Sequence, residues 1–281
     1  MSRKRFEWRI RENTLLLGER TLIMGILNVT PDSFSDGGRY DDPDRAYVRA
    51  MELEDEGVDI IDIGAESTRP GSPRVSEAEE LRRLIPVLKR LRDRVTVPIS
   101  VDTYKSAVAR KALELGVAII NDPSALTFDP ELARAAAQAN AGLILNHMRG
   151  TPETWAKLPP LKDVTGTITA DLAACVHRAT QSGLTRQQIV IDPGLGFGKR
   201  REQNTEILAQ LSRLAALDLP ILVGPSRKSF LAQPSEQQTE MATAAAVTAA
   251  ILGGAHIVRV HDVEAIKPVV QIADGVVSAS L

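Results

Sequence analysis

Eight short apolar runs recur along the chain: TLIMGILN at 21–28, VDIIDIG at 58–64, PISVD at 98–102, VAIIND at 117–122, GLILNH at 142–147, QIVIDP at 188–193, PILVGP at 220–225 and AHIVRVH at 255–261. Within each, apolar residues follow one another instead of alternating with polar ones. That is the pattern of parallel strands covered on both faces. Stretches with helical spacing separate them, at 43–57, 76–93, 103–116, 129–142, 165–182, 202–216, 239–253 and 262–277. Their ends carry matching signals. Gly57 and Gly116 stand where a helix C-terminus favours glycine. Ser76 and Glu79 have capping-box spacing. Asp129-Pro130 reads as a cap followed by the first helical position. Strand–helix alternation repeated eight times predicts an α/β protein of the (β/α)8 TIM-barrel class. An open doubly wound sheet is the alternative, but it has no need of eight units. Ahead of the first strand, FEWRIRENTLLLGE at 6–19 reads as a small N-terminal β-hairpin placed to plug one end of the barrel.

Composition adds mainly exclusions. A chain of 281 residues fits one barrel domain over 1–281, since α/β barrels reach this length as a single unit. With 43% apolar and 25% charged residues it has the make-up of an ordinary globular protein with a large core. A formal net charge of -2 gives no basis for nucleic acid or an anionic membrane surface as a partner. The basic stretches MSRKR and GKRR are short and read as solvated patches. The one cysteine, Cys175, excludes an internal disulfide and reads as a buried thiol on a helix. There is no cysteine framework, no signal-peptide pattern and no run near the roughly 18 apolar residues of a membrane span. A cytoplasmic location is expected.

In such a barrel, active sites gather at the C-terminal ends of the strands. The residues at those ends are Asn28; Thr68 and Arg69; Asp102; Asn121; Asn146, His147 and Met148; Asp192; Ser226, Arg227, Lys228 and Ser229; and Arg259 and His261. Each alone has a structural reading. Asp102, for example, is placed to cap the helix that follows. Together they exceed what solvation requires and point to a site for a polar ligand. They fall into two chemical groups. Asp102, Asn121 and Asp192 with Lys228 suit a flat heterocycle with amino, N–H and carbonyl edges, such as a pterin or a purine, because a carboxylate accepts two parallel N–H bonds. Asn28, Thr68, Arg69, Arg259 and His261 suit a phosphate or diphosphate. Asn28 and the acidic loop after it could help hold Mg2+ beside substrate phosphates.

Other motifs weaken on inspection. GLGFGK lacks the first glycine of a P-loop and has Arg200 where Ser or Thr is required, so it reads as a loop in which backbone approaches a neighbour or ligand closely. No HExxH or clustered Cys/His suggests zinc. Lys228 as a Schiff-base lysine remains open. In the loop VTPDSFSDGG, the lone aromatic Phe34 among small polar residues either packs on the body or closes over something.

MGILNVTPDSFSDGG, IDIGAESTRPG, SVDTYK, DPGLGFGK, GPSRKSFL and RVHDV closely resemble the dihydropteroate synthase family, in its motif order, from about Thr21 to Val263. The resemblance implies a (β/α)8 barrel, commonly a homodimer through its later helices, that joins 6-hydroxymethyl-7,8-dihydropterin diphosphate to p-aminobenzoate. It implies that Asp102, Asn121, Asp192 and Lys228 bind the pterin, with Met148 on the ring. Asn28, Thr68, Arg69, Arg259 and His261 would bind the diphosphate, and Asn28 would contact Mg2+. Phe34, Pro70, Phe197 and Ser229 would form the p-aminobenzoate pocket. Asp36 would stabilise charge during the reaction, with Asp102 and Lys228 as further catalytic residues. Pro123 and Pro225 depart from the family's usual small aliphatic residues and bear on local loop geometry. Methyltetrahydrofolate methyltransferases that serve corrinoid proteins share the pterin carboxylates, but they have no need of Arg69, Arg259 and His261. A non-catalytic pterin-binding homologue is the other alternative, although both early loops are complete in sequence.

Overall fold

The structure, a computed structural model, describes residues 3–30, 43–67 and 74–279. A hairpin of β1 (Phe6–Ile10) and β2 (Asn13–Leu17) comes first, antiparallel, with Trp8 opposite Leu15. Eight parallel strands then alternate with eight helices: β3 (Leu22–Asn28), α1 (Pro43–Asp55), β4 (Ile60–Gly64), α2 (Glu77–Leu91), β5 (Ile99–Asp102), α3 (Ser106–Glu114), β6 (Ile119–Asp122), α4 (Glu131–Gln138), β7 (Gly142–Asn146), α5 (Val164–Gln181), β8 (Ile189–Asp192), α6 (Arg201–Ala209), β9 (Leu222–Val223), α7 (Glu236–Leu252), β10 (Ile257–Val260) and α8 (Val263–Ala279). Neighbours run in order from β3 to β8, and β10 lies between β3 and β9. A parallel bridge from Ile191 to Ile221 joins β8 to β9 and closes the ring. The expected (β/α)8 barrel with its N-terminal hairpin is what forms.

Strand side chains alternate in direction, so each strand contributes two sets. Ile23, Ile61, Val101, Leu143, Ile191 and Val258 belong to the outer core beneath the helices. Leu22, Met24, Ile60, Ile119, Ile144, Val190, Leu222 and Ile257 fill the lower interior, and the hairpin supplies Trp8, Ile10 and Leu17 to the same cluster. The plug is therefore apolar packing, fastened by a few polar contacts. Trp8 Nε1 donates to the Gln188 carbonyl at 3.0 Å, and the Arg11 guanidinium donates to the Leu113 carbonyl at 2.8 Å. Gly142 makes room for it, because a Cβ there would lie 2.6 Å from Ile10 Cγ2.

Helix ends depart from the sequence expectations in instructive ways. Ser76 caps α2 by accepting from Glu79 N at 3.3 Å, but the Glu79 carboxylate is taken by Arg82 and Arg83, so only half of the capping box forms. Asp129 does not serve one helix alone. Pro130, expected at the first helical position, is instead the N-cap of α4, and the Asp129 carboxylate accepts from Glu131 N at 3.1 Å and from Ser106 N at 2.8 Å, serving the N-termini of both α4 and α3. The helix expected at 202–216 stops at Ala209 and continues as a 3-10 helix over Leu211–Leu217. The strand expected at 220–225 pairs only over Leu222–Val223. Cys175 is a buried free thiol on α5, as expected.

Candidate active site

As the strands rise, their inward positions change from apolar to polar. Asn28 ends β3, opposite Gly64, which lies opposite Asp102, which lies opposite Asn121. A Cβ on Gly64 would be 3.6 Å from Asn28 Oδ1 and 3.6 Å from Asp102 Cβ, ordinary contact distances that show how near these two side chains come to the strand between them. Asp102 does not cap the next helix. Its Oδ2 accepts from Arg259 Nη2 at 2.8 Å.

Asp62 is the residue that the sequence reading missed. It lies in the middle of β4 and is fully buried. Its Oδ2 accepts from Arg259 Nε at 2.6 Å and from Asn121 Nδ2 at 3.0 Å. Arg259 thus reaches from β10 past β3 to carboxylates on β4 and β5. A half-buried guanidinium fits here because two carboxylates face it, and removing it would strand the fully buried charge of Asp62. The signal was present in IIDIG: an aspartate inside a strand covered on both faces needs a partner.

The other wall comes from the last four strands. Asp192 ends β8 and is 6% exposed; its Oδ1 accepts from Gly194 N at 2.7 Å. Burial pushes Asp192 up to about 6. Burial also pushes Asp102 up to about 7, against the opposing pull of Arg259. Both carboxyls lie within electrostatic reach of Lys228, whose ammonium burial lowers to about 8, with Arg259 adding to the effect. The Lys228 ammonium sits 4.1 Å from the centroid of the Phe197 ring, and Trp155 meets that ring edge-on at 5.6 Å. The loop bearing Lys228 turns through Arg227 at φ 55, with Lys228 N donating to the Pro225 carbonyl at 3.2 Å. Pro225 is thus the start of that turn. Pro123 likewise keeps a role, its carbonyl accepting from Asn146 Nδ2 at 2.8 Å.

His261 is held by Ser226, whose Oγ accepts from His261 N at 3.2 Å and lies 2.9 Å from Nδ1. Met148 follows β7 half-buried, and Ser229 opens a short 3-10 helix with its surface exposed. The structure therefore brings Asp102, Asn121, Asp192, Phe197, Lys228 and Arg259 to one mouth, with Asn28 at its edge. Phe34, Asp36, Thr68, Arg69 and Pro70 lie outside the described residues. Among the described residues, no group of three His, Cys, Asp or Glu forms a metal cluster. No helix there is long and apolar enough to cross a membrane. An Asn28 amide oxygen suits only a hard cation that draws its remaining oxygens from a ligand and water, which is how Mg2+ commonly binds beside phosphates. Chemically, acceptors and an amide beside clustered cations can hold a heterocycle and an anion at once.

Residues 24–261 match the family described as pterin binding enzyme. A dihydropteroate synthase of Synechocystis is 47% identical over 262 residues, covering 92% of this chain and 91% of that one. A crystal structure of Yersinia pestis dihydropteroate synthase in a sulfonamide drug complex superposes with a TM-score of 0.90 at 40% identity, covering 98% of this chain and 100% of that one. The Xanthomonas albilineans dihydropteroate synthase with 4-aminobenzoic acid gives 0.88 at 38% identity, covering 96% and 98%.

Proposed function

The chain belongs to the pterin-binding enzyme family, as an enzyme of the dihydropteroate synthase type, and from that premise we propose how its residues divide the work. The reaction joins 6-hydroxymethyl-7,8-dihydropterin diphosphate to p-aminobenzoate, giving 7,8-dihydropteroate and pyrophosphate for folate synthesis. The observation that best supports the division is Arg259 bridging Asp62 and Asp102 beside Asn121. It joins a cation for the diphosphate to the acceptors for the pterin in one network.

In this reading Asp102, Asn121, Asp192 and Lys228 take the edges of the pterin, and Met148 lies on its face. Asn28, Thr68, Arg69, Arg259 and His261 take the diphosphate. Phe34, Pro70, Phe197 and Ser229 receive p-aminobenzoate, and sulfonamides such as the one in the Yersinia complex enter the same pocket. Asn28 would hold Mg2+, which when bound neutralises charge on the leaving group. The C–O bond between the pterin methylene and the diphosphate breaks, and its electron pair departs with pyrophosphate. Arg259 and His261 stabilise that developing negative charge. The remaining pterin cation is resonance-stabilised, and Asp36 offsets its charge while Asp102 and Lys228 fix the ring. The p-aminobenzoate nitrogen attacks the methylene carbon with its lone pair and releases a proton to water. No covalent enzyme intermediate is required, so Lys228 has no Schiff-base role.

The whole chain works as one barrel domain in the cytoplasm, as a homodimer, with no nucleic-acid or membrane partner. Lys228→Ala tests the pterin assignment by titration calorimetry. Pterin diphosphate should bind at least tenfold more weakly than to the parent; parent-like affinity would remove Lys228 from the pterin set.

A further inference from the structure

Lys199 has no part in the roles above, yet it is a buried lysine at the wall of the site, where burial pulls its amine well below the ordinary lysine range. It is 8% exposed, and among the described residues no carboxylate bonds it. Its Nζ donates to the His147 carbonyl at 2.8 Å and to the Gly194 carbonyl at 2.7 Å. Those carbonyls belong to different loops, one after β7 and one after β8. Site residues flank both, with Met148 following His147 and Asp192 two positions before Gly194.

The two loops touch through backbone as well. His147 N donates to the Asp192 carbonyl at 2.9 Å, and Arg149 N donates to the Phe197 carbonyl at 3.4 Å. A Cβ on Gly194 would lie 2.0 Å from the His147 oxygen, and one on Gly198 would lie 2.6 Å from the Arg149 oxygen. The glycines therefore allow an approach in which carbonyl dipoles converge. Converging, buried acceptors need a donor between them. Lys199 is a donor shared by both carbonyls, the Gly194 oxygen accepting also from Phe197 N at 3.2 Å, and Asp171 secures the His147 ring from α5 at 3.0 Å.

We propose that Lys199 is a positioning residue of the reaction: its Nζ clips the loop after β7 to the loop after β8 and so sets the spacing of Met148, Asp192 and Phe197. This rests on the assignment of those three residues to the pterin and p-aminobenzoate. The clip acts on ground-state geometry common to both substrates and the transition state. Its loss therefore raises KM more than it lowers kcat. Phe197 also carries an optical reporter, because Trp155 packs edge-on against it and Trp8, the other tryptophan, is far away in the plug.

The experiment is steady-state kinetics of full-length Lys199→Met with both substrates, together with Trp155 emission measured in a Trp8→Phe background. The expected result is at least a tenfold rise in KM for p-aminobenzoate, less than a threefold fall in kcat, and a red shift of Trp155 emission. Lys199→Gln, which keeps a donor on a shorter arm, should fall between parent and Lys199→Met, and it carries the same test should the methionine variant not fold. Parent-like KM values with unshifted emission overturn the proposal while leaving the synthase assignment intact. A parent enzyme that forms no product from the two substrates overturns the assignment on which the proposal rests.

Discussion

Asp192 illustrates how a binding site opposes stability at a single residue. Its carboxyl has a folded value of about 6, against 3.8 for the free group. With the folded value raised, stabilisation from this group is full below about pH 4 and is lost as pH rises through about 6. At pH 8 the ionised carboxylate therefore weakens the unliganded fold. Asp192→Asn should raise stability at pH 8 by on the order of 1–3 kcal/mol, with the gain gone by pH 4. Urea midpoints at the two pH values measure this, and an unchanged midpoint at pH 8 would show that burial imposes no such cost. Asp102, Asn121, Asp192, Lys228 and Arg259, which the structure brings to one mouth, were legible at this scale because they stand at or near strand ends and in the loops after them. Asp62 was not, because it stands inside an isoleucine-rich run and its partners come from strands far away in the chain. Lys199 was read only as the end of a glycine loop; its partners are backbone carbonyls, which leave no trace in residue type.

Among the elements, the helices were easier to place than their ends. The half-formed capping box at Ser76 shows why: Glu79 has two arginines within one turn, and a carboxylate pairs with them in preference to a backbone N–H. The short β9 reflects its position as the closing strand, where pairing is limited to a brief contact with β10 and one bridge to β8. Helices α7 and α8 pack on each other and carry the exposed apolar side chains Met241, Leu252, Ile272 and Val276. Ile272 is 73% exposed, a poor location for a β-branched apolar residue unless another surface covers it. A homodimer of the kind proposed above would cover this face. Ile272→Asp should convert a parent dimer to monomer in sedimentation equilibrium without unfolding it. A variant that stays dimeric would move the interface elsewhere.

Over the whole molecule, the barrel separates support from chemistry. Its lower interior is closed by Trp8, Ile10 and Leu17, while its upper interior carries the charges. The fold was legible because eightfold repetition of strand and helix leaves few closed arrangements. The hairpin was legible because an apolar two-stranded unit with no sheet to extend must bury itself somewhere. The central claim is a two-substrate condensation, and one measurement addresses it directly: dihydropteroate formation and pyrophosphate release from dihydropterin diphosphate with Mg2+, with and without p-aminobenzoate. The account predicts dihydropteroate only when both substrates are present, with one pyrophosphate released per dihydropteroate. Tight binding of the pterin diphosphate with no dihydropteroate formed would contradict it.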